Sequence, residues 1–325
     1  MIKDIVVNLP VGGSPDNVAK FAASVAATLG AHLTGIAFCY GPLVPLMVDM
    51  YGIPQEMLDT QREENEKAVK AAIASFNEAV RGSVVASETH ALEAPVAGTP
   101  DMLGQIARRF DLSIVAQPRP EEPALGRLLL EAALFESGRP VLVMPYIQSG
   151  GLKLDRVLVG WDGSRSAARA IGDAMAFLRK AKRCEIVLVS GEPAKSDELP
   201  GADIAHHLAR HDVKVEVNRI ASREIDVAST ILSRAADVAA DLLVMGGYGH
   251  SRMREFILGG VTRGIVGSMT VPTLMSHLWS VFKIRIIWAS FPGTERSEGA
   301  GEPTARPDRS ESGFPKDSEG ASLTH

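Results

Sequence analysis

The residues best equipped for chemistry are glycines near the end of the chain. Met245-Gly246-Gly247-Tyr248-Gly249-His250-Ser251-Arg252 leads, four residues on, into Ile257-Leu258-Gly259-Gly260-Val261-Thr262. This stretch begins where an apolar, strand-like run from Asp241 to Met245 stops. Glycine lets the backbone turn sharply and come close to a ligand. A helical pattern starts after Gly259, and the free N–H groups and positive dipole end of a helix suit an anion such as phosphate. Gly246, Gly249 and, after nine intervening residues, Gly259 therefore predict a phosphate cradle built from two loops. Gly260 and Val261 add backbone N–H groups, and His250, Ser251 and Arg252 lie in the loop where they could touch phosphate. The pattern is neither a Walker loop nor G-x-G-x-x-G, and the competing reading is plain turn glycines.

The elements that must position this loop repeat along the chain. Asp4-Ile5-Val6-Val7 returns as Arg156-Val157-Leu158-Val159. Each is followed by an Ala-rich amphipathic stretch, Asn17 to Leu29 and Ala167 to Leu178, and then by an apolar run, His32 to Phe38 and Cys184 to Val189. Phe110 to Val115 matches Ala240 to Met245, and Arg139-Pro140-Val141-Leu142-Val143 matches Val271-Pro272-Thr273-Leu274-Met275. The two copies are read at a near-constant offset of about 150 residues. Strand-like runs alternating with helical patterns predict an α/β fold of βαβ units with a parallel sheet covered on both faces. The runs are apolar at both alternating positions, so the strands should be central. The longest helical pattern, Glu56 to Arg81, carries its charges on a solvated face. The predicted divisions are 1–149, 150–279 and 280–325, the last an extension and disordered tail poor in aliphatic residues.

Composition excludes several partner classes. Lys plus Arg number 34 against 39 Asp plus Glu, a net charge of -5 that disfavours nucleic acid. Leu278 to Phe291 is the most apolar late stretch, but Lys283 and Arg285 interrupt it and it is shorter than the ~20 residues a membrane span needs. Cys39 and Cys184 lie far apart in apolar runs and read as buried reduced thiols, and the N-terminus has no secretory pattern. A cytoplasmic protein is expected, with neither nucleic-acid nor membrane partners.

The glycine loop and the strand before it resemble the universal stress proteins of the UspA type. Nucleotide-binding members carry Gly-x-x-Gly, nine residues, then Gly-Ser/Thr, matched here by Gly246, Gly249 and Gly259. An Asp after their first strand faces adenosine, and Val157-Leu158-Val159-Gly160-Trp161-Asp162-Gly163-Ser164 puts Gly160 and Asp162 there. Adenine contacts after their second strand fall near Ser190 and Gly191. The resemblance implies two tandem doubly wound domains, each a five-stranded parallel sheet with helices on both faces, paired within the chain as family dimers pair. It also implies an ATP or other adenine-nucleotide site, with Mg²⁺ as a companion ion, in the second copy. Gly260 stands where the family has Ser/Thr, so one hydroxyl donor worth ~0.5–1.5 kcal/mol is missing, and Thr262 offers a substitute. In the first copy Pro10 replaces the Asp, Gln117-Pro118-Arg119-Pro120 replaces the glycine loop, and Glu131 falls near the position of Gly259. Proline removes donors and a carboxylate repels phosphate, so this copy is expected not to bind ATP in that manner.

Asp203, His207 and His211 recur every four residues, a metal-capable stripe whose plainer reading is a polar helix face. The leading functional expectation is a stress-response regulator that binds ATP in its second domain, with at most slow hydrolysis. It would pair its domains within the chain and act through a second copy or a regulatory protein. The alternative is an interaction module whose sites are vestigial. A third reading is an enzyme of the related adenine-nucleotide α-hydrolase type.

Overall fold

The computed structural model describes residues 1–12, 15–41, 55–119, 124–190, 201–221, 226–247 and 260–278. The first half runs β1 (Asp4–Asn8), α1 (Pro15–Leu29), β2 (His32–Tyr40), α2 (Gln55–Val80), β3 (Ser87–Ala94), α3 (Thr99–Ala107), β4 (Leu112–Ala116), α4 (Leu125–Phe135) and β5 (Val141–Met144). The second runs β6 (Arg156–Gly160), α5 (Arg165–Leu178), β7 (Arg183–Ser190), α6 (Ala202–Ala209), β8 (Val215–Ala221), α7 (Val227–Asp237), β9 (Leu242–Gly246), α8 (Gly260–Ser268) and β10 (Thr273–Ser276). Each half alternates strands and helices, as the hydrophobic patterning requires.

The strand order β3-β2-β1-β4-β5-β10-β9-β6-β7-β8 places both halves in one ten-stranded sheet. Each half repeats the same five-strand order with parallel pairings throughout, and the only antiparallel pair among the described residues, β5 with β10, forms the seam. Leu142 stands opposite Leu274 there, both fully buried. The expected pair of five-stranded sheets is thus one continuous sheet. The seam strands are short, and their hydrogen-bonding edges satisfy each other instead of remaining open.

Successive strand residues point to opposite faces, so each apolar run feeds two layers. Ile5 and Val7 pack with Phe21 and Phe76 on one side of the sheet, while Val6 packs with Leu103 and Ile36 on the other. In the second half Val157 and Val159 join Phe177, and Leu158 joins Ile231 and Ile265. Helix α2 buries only Val69, Ala72 and Phe76, leaving its charges in solvent as its composition predicts.

Three expectations are corrected. The strands are not all central: β3 and β8 lie at the sheet ends, largely exposed, and their polar sequences gave no apolar run to detect. The repeat offset is not constant. Strand β1 begins at Asp4 and β6 at Arg156, an offset of 152, whereas β4 begins at Leu112 and β9 at Leu242, an offset of 130. Much of the lost length lies between the second and third strands, where α2 has 26 residues and α6 has 8. Finally, α6 ends at Ala209, so Asp203, His207 and His211 do not share one helix face. Asp203 accepts from the Ile204 N–H, while His211 meets His207 edge-on and hydrogen-bonds Arg179. Among the described residues no cluster of His, Cys, Asp and Glu could hold a metal ion, and no helix is long and apolar enough to cross a membrane. The predicted tail, and the apolar stretch beyond Leu278, lie outside the described residues.

Candidate functional site

In each half the chain leaves the first strand toward one side of the sheet and returns to the fourth strand on the other. The strand order therefore reverses between β6 and β9, and equally between β1 and β4. Such switch points leave a crevice at the carboxyl ends of the strands, the usual ligand position in open parallel sheets.

At the second-half switch point, β6 ends at Gly160 and β9 at Gly246, strands held in register by Val157↔Leu242 and Val159↔Val244. Beyond β6 the chain turns through Asp162 and Gly163, whose φ of 73° lies in the left-handed region that glycine tolerates. Asp162 is exposed, and its Oδ1 accepts from the Ser164 N–H at 2.9 Å. Ser164 in turn caps α5 by accepting from the Ala167 N–H at 3.1 Å. Helix α8 is described from Gly260, and the first turn of a helix directs its N–H groups toward its N-terminal end, where an anion is favoured.

The glycines separate by physical role. A Cβ at Gly246 would lie 2.6 Å from the Ala167 nitrogen and 2.8 Å from the Ser166 carbonyl carbon, so the strand end presses directly on the first turn of α5. Packing alone demands glycine there. At Gly247 a Cβ would meet Leu134 of α4 at 3.0 Å, a contact across the seam. At Gly160 the nearest atom would be 3.7 Å away, ordinary contact, and at Gly260 nothing among the described residues lies within 4 Å. The space a Ser or Thr hydroxyl would need at Gly260 is therefore open. Thr262 is only 3% exposed. Val261 is partly buried against the core layer that holds Ile265. Gly191, Gly249, His250, Ser251, Arg252 and Gly259 lie outside the described residues.

The family model for the universal stress protein family matches residues 153–277. The second half is thus similar to a universal stress protein domain over those residues. Among solved structures, a universal stress protein from Archaeoglobus fulgidus is 18% identical, with 84% of this chain and 96% of that one covered at a TM-score of 0.61. A candidate universal stress protein from Pseudomonas aeruginosa is 14% identical, covering 85% and 93% at 0.53. A functionally unknown protein from the same species is also 14% identical, covering 85% and 92% at 0.52. No curated protein matches the chain. At these identities the likeness shows a shared fold, and it extends over both halves.

Set against the universal stress protein domain, the first half keeps the strand order and changes the chemistry at the switch point. Offsets of 152 and 130 place Pro10 opposite Asp162 and Gln117 opposite Gly247. The sequence comparison treats Gln117 only as a lost glycine, but the residue does something specific. It is 2% exposed; its Nε2 donates to the Val266 carbonyl of α8 at 2.7 Å, and its Oε1 accepts from the Tyr146 N–H at 3.1 Å. Val266 sits in the last turn of α8, where carbonyls lack helical partners, so a first-half side chain completes the end of a second-half helix. Across the same seam Phe135 meets the His277 ring edge-on at 5.0 Å.

At the offset of 130, Glu131 stands opposite Val261, two residues from Gly259. Glu131 lies inside α4, 5% exposed, with its carboxylate 3.6 Å from Arg127. Burial raises its carboxyl above the usual range, and Arg127 opposes the shift. Glu185 on β7 was also overlooked, because a lone acid inside an apolar run carries no spacing signal. Burial pushes its carboxyl up, yet Arg234 at 2.7 and 3.0 Å and Asn218 at 2.9 Å outweigh that and hold it below the usual carboxylate range. Its neighbour Cys184 is buried and its thiol is pushed up to about 12, so it is inert as a nucleophile. Cys39 is half-buried rather than buried, and its thiol is likewise raised by desolvation.

Proposed function

We propose that the second half binds an adenine nucleotide, ATP or a close relative with its accompanying Mg²⁺, and that the protein acts as a stress-response regulator instead of a catalyst. The observation carrying this reading is the convergence of three features on one carboxyl edge: the exposed Asp162, the strand end at Gly246 and the first turn of α8. The match of residues 153–277 to the universal stress protein family supports it, because that is the segment holding all three. Anion affinity must come from N–H groups and the helix end, since the chain's net charge is -5. Gly260, where family members have Ser/Thr, weakens the site by one hydroxyl without blocking it. The first half contributes a paired domain that braces α8 through Gln117. The reading also places the protein in the cytoplasm, without nucleic-acid or membrane partners, and leaves a second copy or a regulatory protein as the receiver of the signal.

A second reading, an interaction module with vestigial sites, is favoured by Gly246, whose lack of a side chain packing fully explains. Mass spectrometry of nucleotides released from gently purified protein separates the two. Retained ATP, ADP or AMP supports the first reading; protein free of nucleotide under conditions that keep it folded supports the second.

A further inference from the structure

The first-half switch point holds a cavity of about 540 Å³ at the carboxyl ends of β1 and β4. That volume lies within the ~300–1,000 Å³ usual for small-molecule sites. Its floor is apolar: Leu9, Val115 and Leu129 are 1%, 2% and 6% exposed. One wall comes from the first turns of α2, through Gln61, Glu64 and Asn65. Asn65 fixes that wall by donating to the Tyr40 carbonyl at the end of β2, at 3.0 Å. The extra length of α2 relative to α6 thus builds a side to this cavity.

Asn8, the last residue of β1, lines the cavity, and its Oδ1 is buried without a hydrogen-bond partner. Buried carboxamide oxygens are rarely left unpaired, and doing so costs stability. Among the described lining residues none is cationic, Glu64 is acidic, and Pro10 and Pro118 offer no N–H. Among the described lining residues no cationic side chain could neutralise a phosphate.

We infer that the first half has its own ligand site, for an uncharged and largely apolar organic molecule carrying a hydrogen-bond donor for Asn8 Oδ1. The ligand enters at the switch point, lays its apolar body on Leu9, Val115 and Leu129, and donates to Asn8. The site is separate from the proposed nucleotide site and selects the opposite chemistry. Because Gln117 also lines the cavity while holding α8, occupancy is transmitted toward the second half through a side chain already in place.

The test uses N-phenyl-1-naphthylamine, a neutral apolar fluorophore with one N–H, on the full-length chain. Saturable enhancement at one probe per chain, undiminished by millimolar ATP, is expected. Val96→Trp fills the cavity from its half-buried rim and should weaken probe binding at least tenfold with the folding transition unchanged. Asn8→Leu removes the acceptor and should weaken binding several-fold while raising thermal stability. The inference is overturned by an absence of saturable enhancement, by displacement with ATP, or by wild-type probe affinity in Asn8→Leu or in folded Val96→Trp.

Discussion

Gly246→Ala separates packing from ligand binding inside the glycine motif. A Cβ there would sit 2.6 Å from the Ala167 nitrogen, 0.8 Å inside the 3.4 Å at which ordinary contact begins. The atoms it meets are backbone in the first turn of α5, already fixed by the Ser164 cap, so they cannot swing aside as a side-chain tip would. Overpacking of this kind costs ~1–3 kcal/mol, and replacing glycine returns ~0.4–1 kcal/mol by restricting the unfolded chain. With the clash at the top of its range, the net loss is about 2 kcal/mol. At roughly 2–4 °C per kcal/mol for a chain of this size, the midpoint should fall by about 4–8 °C. Gly260→Ala is the matched control: nothing among the described residues lies within 4 Å, and a residue at the start of α8 carries little of the helix-interior preference. Its midpoint should hold or rise. Thermal unfolding followed by circular dichroism, without nucleotide, reads both. An unchanged or higher midpoint for Gly246→Ala would refute the packing argument and return this glycine to the ligand.

Gly260→Ser restores the hydroxyl that family members carry at an open position, and should tighten ATP about two- to tenfold by titration calorimetry. Gln117→Leu removes two side-chain hydrogen bonds from a 2%-exposed residue, a loss of about 2–3 kcal/mol by urea unfolding, with faster amide exchange in α8. Arg234→Met strands the Glu185 carboxylate and should cost about 2 kcal/mol at neutral pH. Because the Glu185 carboxyl is held below its ordinary 4.5, its contribution is complete above that pH and fades as pH falls through the lowered value. Wild-type stability should therefore drop more steeply below pH 4.5 than that of Glu185→Gln.

Most of the central fold could be read from the chain because its buried strands are continuous apolar runs. Val157-Leu158-Val159 and Leu242-Leu243-Val244 are fully buried on both faces, and burial of that kind leaves a direct mark in sequence. The edge strands left none: Ser87 to Ala94 is largely solvent-exposed, so nothing selects for apolar alternation. The joining of the halves was equally hidden, since β5 and β10 look like any buried strand and their antiparallel pairing depends on where two distant edges meet. Near the candidate site, the helix described from Gly260 follows the glycine spacing that announced it. The meaning of Gly246 was not legible, because a close approach to the backbone of α5 depends on tertiary packing. Gln117 shows the same limit. Its neighbours Tyr146 and Val266 are 29 and 149 residues away, and no local pattern announces such a contact.

Titration calorimetry of the full-length chain with ATP and Mg²⁺ bears most directly on the central claim. Binding in the second half alone predicts saturable heat at one nucleotide per chain, because Pro10 replaces Asp162 and the described residues lining the first-half cavity include no cation. No heat, or two nucleotides per chain, would contradict it.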